Sequence, residues 1–234
     1  MTACLLRFPS HALAPREAIP RHIHAEPYAA VVLEGGYEEA GEAGRFRVEA
    51  GDVLVHAAFS AHWDHAPKGA RLLNLPLPAD LPVSTVGRLE DPDLVIRLAQ
   101  RDPKVAGEAL LALFRPLTQK RNDQADSLAE TLSGSAGMDL GAWSAAQGVA
   151  RQTAFRWFRA AYGVSPTRYR VEARARRAWR AITTSRDDLA HLAAALGYAD
   201  QAHMTREVRA FTGRTPGSWR AATRLQPLFK TPAD

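Results

Sequence analysis

Five of the eight histidines in this 234-residue chain lie between positions 22 and 65. His22 and His24 are one residue apart, so on a β-strand, where side chains alternate, both imidazole rings lie on the same face. His62 is the third histidine that we expect beside them. Neutral imidazoles that converge on one point bind zinc and other borderline divalent ions. The sequence therefore predicts a candidate metal site of His22, His24 and His62, with zinc as the first choice of ion.

The same histidines have two further interpretations, which the sequence leaves open. One is a pocket for an organic ligand, which we place ahead of a metal site. The other is a set of histidines that only form hydrogen bonds inside a polar barrel. For a bound ligand, the predicted contact residues are His22, His24, His56, His62 and Tyr28.

A second group of residues occurs twice in the last hundred positions. Arg156-Trp-Phe-Arg159, Gly163-Val-Ser-Pro166 and Tyr169-Arg170 recur 50 positions later as Arg206-Glu-Val-Arg209, Gly213-Arg-Thr-Pro216 and Trp219-Arg220. A repeat of this period indicates one supersecondary unit present in two copies. Each copy has a small-residue helix, a glycine turn and a helix that carries arginine, which is the outline of a helix-turn-helix.

The second helix of such a unit enters the major groove of DNA, with its first turns against base edges. Residues three and four apart share a face of that helix, where Arg can pair with guanine and Gln with adenine. The predicted DNA contacts are Arg151, Gln152, Phe155, Arg156 and Arg159 in the first copy, and Gln201, Ala202, Thr205 and Arg206 in the second. Trp157, Phe158, Val208 and Phe211 are expected in the core. The alternative is a plain helical bundle with salt-bridged arginines.

Charge separates the two halves of the chain. Residues 1–118 carry 12 Lys and Arg against 15 Asp and Glu, whereas residues 119–234 carry 18 against 10. A basic rear half favours a polyanionic partner. Cys4 is the single cysteine, which excludes an internal disulfide. Without a signal-peptide pattern or a long apolar run, we expect a cytoplasmic protein that does not enter the membrane.

The front half has the pattern of short strands. A β-branched run at 28–33 precedes Glu34-Gly-Gly36, a predicted turn, and further strands are expected around 46–48, 53–55 and 71–75. This spacing favours a small β-barrel or sandwich. Asp91 and Pro92 then predict the start of a helix over 93–101. Pro103 opens another helix, whose apolar stripe is Leu110, Leu113, Phe114 and Leu117.

In the rear half, a first helix is expected over 122–131 and a flexible joint over 133–137. Asp139, Asp188 and Asp200 are candidate N-caps, and Gly148 and Gly197 are candidate turn residues. The pattern of a nucleophile elbow or a phosphate loop does not occur in the chain, so we expect no enzymatic activity.

The second copy of the repeat carries a recognisable motif. The segment Gly197-Tyr-Ala-Asp-Gln-Ala-His-Met-Thr-Arg206, with 212–216 and Trp219-Arg220, resembles the signature of the AraC/XylS family of bacterial transcription regulators. The resemblance covers about 122–221. It implies seven helices, with a long helix over 166–182 between two helix-turn-helix units that read successive major grooves. Promoter DNA and RNA polymerase are the implied partners. Ala150 stands where the family often has a small polar cap.

The front half is similar to a second known fold. Gly51-Asp-Val-Leu-Val-His56, followed by Phe59-Ser-Ala-His62, resembles the second motif of the cupin barrel, and His22 and His24 match the paired histidines of the first. The glutamate of that motif is expected near position 28 or 29, where Tyr28 and Ala29 stand. Sensor domains of this kind often bind an organic effector and no metal.

We therefore predict an α+β multidomain protein. A cupin-like β-barrel sensor domain spans 1–83, a helical linker spans 84–118, an all-α double helix-turn-helix domain spans 119–224 and a tail spans 225–234. The linker helices either form a homodimer seam or cover the barrel. The predicted function is a DNA-binding transcriptional regulator that senses a small molecule or a metal. A metal-dependent cupin enzyme fused to a DNA-binding domain and a ligand-independent DNA-binding protein are the alternatives.

Overall fold

The computed structural model describes residues 10–79, 81, 84–117, 123–134 and 140–225. Cys4, the Asp139 cap, the 135–137 part of the predicted joint and the segment from 226 onward lie outside these residues. Among the helices of the described part, none has the length and apolar character needed to cross a bilayer.

Within the described residues, the front half contains nine strands that form two sheets with one strand in common. They are β1 (Ser10–Leu13), β2 (Glu17–His24), β3 (Tyr28–Gly41), β4 (Gly44–Glu49), β5 (Asp52–His56), β6 (Ser60–Ala66), β7 (Ala70–Pro76), β8 (Thr85–Leu89) and β9 (Phe114–Pro116). The first sheet has the order β1-β7-β3-β5-β8-β9, and the second joins β2, β6, β3 and β4. The first half of β3 pairs with β5 and β7, and its second half pairs with β4 and β6.

The turn predicted at 34–36 is wrong, because the strand continues through it. The register of β3 against β7 shifts between Val32 and Glu34, and Gly35 has a φ of +68°. A bulge with a glycine in the left-handed region bends a strand without reversing it. This bend lets β3 pass from one sheet to the other.

The predicted closed barrel is not formed by the strand pairing among the described residues. β1 and β9 are the edges of the first sheet, and β2 and β4 are the edges of the second. The arrangement is therefore an open one of two sheets, which is closer to the sandwich that the short strands also predicted. The inner side chains of both sheets meet in a core that includes Leu13, Tyr28, Val48, Leu54 and Leu72.

Two helices cover the outer face of the first sheet. They are α1 (Pro92–Ala99), capped by Asp91, and α2 (Pro103–Leu113), capped by Asp102. Val95 and Leu110 pack in one cluster with Val53 and Leu75. Of the two roles predicted for these helices, a dimer seam or a cover for the strands, the structure shows the cover. The predicted helical stripe ends early, because residues from Phe114 to Pro116 form β9 and pair with β8.

Seven helices follow within the described residues, as the family resemblance implies. They are α3 (Gln124–Ser133), α4 (Leu140–Ala146), α5 (Arg151–Tyr162), α6 (Pro166–Thr184), α7 (Leu189–Ala195), α8 (Gln201–Thr212) and α9 (Pro216–Leu225). The chain divides into two compact units, one of residues 1–131 and 139–166 and one of residues 132–138 and 167–234. The first unit thus contains α4 and α5, and the second contains α7 to α9.

Candidate functional site

A cavity of about 360 Å³ lies within the first unit. Its lining comes from β1, β2, β3, β6 and β7 and combines apolar side chains with titratable ones. His22 and His24 alternate with Ile23 along β2, and His62 and Asp64 alternate with Trp63 along β6, so the named histidines share the inner face. Register pairing places His22 directly opposite His62.

The structure brings the three predicted metal ligands together. The ring centroids of His22 and His24 are 4.7 Å apart, and those of His22 and His62 are 4.3 Å apart. Each of the three offers one ring nitrogen, and these nitrogens lie within 4.8 Å of one another. The spacing suits a single ion that all three contact.

The hydrogen bonds of these rings also leave nitrogens for a ligand. His22 Nδ1 lies 3.0 Å from the Pro20 carbonyl oxygen. This contact fixes the orientation of the ring and does not involve the other ring nitrogen, Nε2. The buried atoms His24 Nε2 and His62 Nδ1 have no hydrogen-bond partner among the described residues. Burial lowers the pKa of His24 to about 3 and the pKa of His62 well below its ordinary value, so both rings are neutral. Neutral imidazole is the form that binds metal.

The other two predicted ligand contacts lie beside this trio. The Tyr28 hydroxyl is 3.2 Å from His62 Nε2, and the Tyr28 ring stacks on His56 at a centroid distance of 4.3 Å. His56 Nε2 lies 3.0 Å from both carboxylate oxygens of Glu39. Glu39, His56 and His62 form a second group whose ligand atoms lie within 4.8 Å of one another.

Sequence reasoning missed Glu39 and Asp64, which both line the cavity. The cupin resemblance directed attention to position 28 or 29, and the turn expected at 34–36 removed the second half of β3 from the strand pattern. Alternation along that half, with Tyr37 and Glu39 buried and Glu38 more exposed, was the available signal. Burial raises the pKa of Asp64 well above its ordinary value, and the charge of Glu39 adds to this rise.

On α5, the predicted DNA contacts lie on the solvent side. Arg151, Gln152, Phe155, Arg156 and Arg159 are all exposed, whereas Ala154, Phe158 and Tyr162 are buried. Trp157 was expected in the core, and this is wrong, because 43% of its surface is exposed. The buried positions recur every four residues, so the residue just before Phe158 points about 100° away from the core. Ala150 makes no side-chain cap to the helix.

On α8, the equivalent helix of the second unit, Gln201, Ala202 and Arg206 are exposed and Thr205 is partly buried. Val208 and Phe211 are buried, as expected, and Met204 is buried with them. Asp200 caps this helix by accepting a 2.6 Å hydrogen bond from the His203 N–H. Asp188 caps α7 by accepting a 3.1 Å bond from the Ala190 N–H.

The turns inside the two helix pairs also match each other. Gly148, between α4 and α5, has a φ of +65°, and Gly197, between α7 and α8, has a φ of +73°. Both values lie in the left-handed region, which glycine adopts without a steric penalty. Each pair is therefore two helices joined by a glycine turn, with an arginine-bearing second helix.

Comparison with known proteins supports this description of the rear half. Residues 143–222 match the family described as a helix-turn-helix domain. No curated protein sequence matches the chain. Several solved structures are similar to it, with TM-scores below 0.5, so we draw no inference about ligands from them.

An AraC-type transcriptional regulator from Chromobacterium violaceum is 22% identical over 43% of this chain and 90% of that chain, with a TM-score of 0.39. ToxT from Vibrio cholerae, with bound unsaturated fatty acid, is 10% identical over 91% of this chain and 93% of that chain, with a TM-score of 0.41. The DNA-binding domain of AdpA, in complex with a target DNA, is 24% identical over 44% of this chain and 95% of that chain, with a TM-score of 0.40.

The family match and the two glycine-joined helix pairs agree on the same segment. Residues 143–222 are therefore a helix-turn-helix DNA-binding domain.

Proposed function

We propose that the whole chain is a one-component transcription regulator, in which the rear half binds promoter DNA and the cavity between the strands binds an effector. One observation carries this proposal. A chain with a helix-turn-helix domain at 143–222 also holds a cavity of about 360 Å³ lined by buried, neutral histidines. A protein that only binds DNA has no use for such a cavity, whereas a sensor needs one. We place this regulator in the cytoplasm.

The two reading helices are proposed to have different base preferences. Both present arginine and glutamine to solvent, which are the side chains that pair with guanine and adenine edges. α8 has a side-chain N-cap at Asp200, whereas α5 begins at Ala150 without one. α5 also exposes Phe155, which suits an apolar contact with thymine methyl groups. The expected DNA site has two unlike half-elements.

The effector acts by preferring one state of the protein over another. A ligand shifts an equilibrium only by the difference between its affinities for the two states. The first reading helix, α5, belongs to the same compact unit as the cavity. We therefore expect effector binding to change the affinity of the first half-element more than that of the second. RNA polymerase and a second copy of this chain are the proposed protein partners.

Of the proposed effector contacts, His22, His24, His62 and Tyr28 line the cavity, and His56 lies outside the lining, against Tyr28 and His62. If the occupant is a metal, the proposed ligands are His22, His24 and His62, and zinc is the first choice. Bound zinc would supply a fixed positive charge and an open coordination position. Orphaned buried nitrogens on His24 and His62 support a ligand of either kind.

A cupin-like, metal-dependent enzyme fused to a DNA-binding domain is the second candidate. One observation favours it, since Glu39 lies near His56 and His62 in a two-histidine, one-carboxylate group. That ligand set is typical of non-haem iron sites. Stoichiometric iron or manganese in the purified protein, together with substrate turnover, would decide for the enzyme.

The proposed DNA-binding function is tested with a DNA site selected by the wild-type protein from a random library. Arg156→Ala and Arg206→Ala should each weaken binding to that site by about 1–3 kcal/mol, because each removes a base or phosphate contact. Arg97→Ala changes an exposed arginine on α1 and serves as the matched control. A footprint that survives both changes at unaltered protein concentration would contradict the assignment of α5 and α8 as reading helices.

A further inference from the structure

Two carboxyl groups lie side by side in the lining of the cavity. Glu39 on β3 and Asp64 on β6 are register partners on adjacent antiparallel strands. Their residues are only 6% and 5% exposed, and both line the cavity. Like charges directly opposite each other destabilise a sheet, and the effect grows when water is excluded. This pair is therefore a place where a positive charge would be stabilised.

The two carboxyl groups differ in how they are satisfied. Both oxygens of Glu39 lie 3.0 Å from His56 Nε2. Asp64 Oδ1 is buried and has no hydrogen-bond partner among the described residues, and Asp64 Oδ2 is 3.8 Å from His62 Nε2, beyond hydrogen-bond distance. Asn74 Oδ1, on β7 in the lining of the same cavity, is a second buried acceptor without a partner among the described residues. Buried polar atoms are almost always paired, so these two indicate a missing donor.

The rest of the lining shows what kind of donor fits. Among the described residues, the cavity wall contains two acids and no lysine or arginine. The Arg21 guanidinium is outside this lining and donates to the Ala40 carbonyl oxygen at 3.3 Å. Leu13, Ile19 and Leu72 supply apolar surface in the same lining. A ligand carboxylate would thus find no lysine or arginine in the lining, whereas a ligand ammonium would find two carboxyl groups.

We propose that the effector of this cavity is a small organic amine, whose protonated nitrogen lies between Asp64 and Glu39 and donates to Asp64 Oδ1. The apolar body of the amine lies against Leu13, Ile19 and Leu72, and Asn74 accepts a further hydrogen bond. This inference rests on the proposed function, because it names the chemical class of the effector. A volume of about 360 Å³ is at the lower end of the range for small-molecule sites, which suits a compact ligand.

The inference is tested by calorimetric titration of the full-length protein, after dialysis against EDTA, with three probes of one skeleton: octylamine, octanol and octanoic acid. Octylamine should bind at one site per chain, octanol more weakly and octanoic acid not at all at the same concentrations. Asp64→Asn should weaken octylamine binding by about tenfold or more, because it removes a charged hydrogen-bond partner. Glu38→Gln, next to Glu39 on the other face of β3, removes the same charge outside the cavity and should leave the affinity unchanged.

A second variant guards against a folding defect. Ile19→Trp, on the edge strand β2, narrows the cavity without changing its charge and should also weaken octylamine binding. Octanoic acid that binds as tightly as octylamine would overturn the inference, and so would an octylamine affinity that neither variant changes. Zinc that binds through Asp64 in place of the amine would show that the cation is a metal and would overturn it as well.

Binding to the selected DNA site is measured in parallel, without any probe. Specific DNA binding with no octylamine binding contradicts the amine alone and leaves the regulator intact. If the wild-type chain shows no specific DNA binding, the proposed function is contradicted, whether or not octylamine binds.

Discussion

Arg45 on β4 forms a two-pronged ion pair with Asp126 on α3, with Nε–Oδ1 and Nη2–Oδ2 distances of 2.9 Å. Asp126 is 1% exposed and also accepts hydrogen bonds from the Tyr162 hydroxyl at 2.8 Å and the Asp123 N–H at 3.0 Å. Burial alone would raise the pKa of Asp126, but the bonds from Arg45, Asp123 and Tyr162 outweigh it and lower that pKa. This carboxylate thus joins the second sheet to α3 and to the end of α5.

We expect Asp126→Asn to lower the free energy of unfolding by about 3 kcal/mol, because it leaves the largely buried Arg45 without its main anion. Asp123→Asn is the control, since Asp123 also contacts Arg45 but its side chain is 60% exposed. Asp123→Asn should lower the free energy of unfolding by about 0–1 kcal/mol. Urea denaturation at pH 7 measures both variants, and equal losses would contradict a special role for Asp126.

The buried histidines predict a fall in stability in mild acid. Burial holds the pKa of His24 at about 3 in the folded state, against 6.5 for the free side chain. Below pH 6.5 His24 therefore binds a proton in the unfolded chain but not in the folded one. The free energy of unfolding thus decreases as the pH falls from 6.5 toward 3. Between pH 7.5 and 5.0 the loss is about 2 kcal/mol for this histidine.

Urea denaturation in EDTA at the two pH values measures this loss. His24→Gln should reduce the difference by about the same 2 kcal/mol, since glutamine does not titrate. An unchanged pH dependence in that variant would show that His24 is protonated in the folded protein.

The proposed metal ligands predict a specific effect of zinc. If His22, His24 and His62 bind the ion, zinc at 100 times its dissociation constant should raise the free energy of unfolding by about 2.7 kcal/mol. His24→Gln should abolish most of this gain. His65→Gln is the matched control, because His65 lies on the other face of β6 and stacks on Trp63. Calorimetry with and without EDTA gives the answer, and an equal gain in all three proteins would place zinc elsewhere.

The missing cap on α5 predicts that this helix can be stabilised by one substitution. Ala150 has an extended backbone at the N-cap position, so a serine there can accept a bond from the first turn. Ala150→Ser should raise the free energy of unfolding by about 1 kcal/mol, and Asp200→Ala on α8 should lower it by about 1 kcal/mol. Thermal unfolding of the two variants checks both signs, and a neutral Ala150→Ser would mean that the first turn is already satisfied.

Local signals in the sequence were sufficient for the rear half. Side-chain caps at Asp188 and Asp200 and glycine turns at Gly148 and Gly197 act within a few residues, so spacing alone locates them. The 50-residue repeat then gave the helix pairs. Trp157 was misplaced because, in a helix that exposes several large residues, the apolar pattern does not show which face is buried.

The front half depended on contacts that spacing does not reveal. Alternation did bring His22 and His24 together, and His62, the last residue of the second cupin-like motif, completed the trio. Alternation also marks Glu39 as inward-facing, but its pairing with Asp64 depends on the register of β3 against β6, which spacing does not reveal. That register in turn depends on the bend at Gly35, where a glycine pair looked like an ordinary turn.

Replacing the matching glycines of the two repeat copies by alanine should lower the free energy of unfolding by different amounts. Gly163 and Gly213 end α5 and α8 with φ values of +65° and +79°, so alanine is strained at both. A Cβ atom at Gly163 would also lie 2.6 Å from Trp63 Cδ1, whereas no atom of the described residues lies within 4 Å of one at Gly213. Gly213→Ala should therefore cost about 1 kcal/mol, and Gly163→Ala about 1–3 kcal/mol more.

Scanning calorimetry of the full-length protein measures the difference between the two costs, from the unfolding transition of the unit that carries each change. Gly148→Ala is the control within the first unit, because Gly148 shares the φ of +65° and a methyl group there would meet no described atom within 4 Å. It should behave like Gly213→Ala, since only backbone strain acts there. Trp63→Ala combined with Gly163→Ala should cost less than the sum of the two single changes, because the smaller side chain removes the clash. Strict additivity would show that Trp63 does not restrain the end of α5.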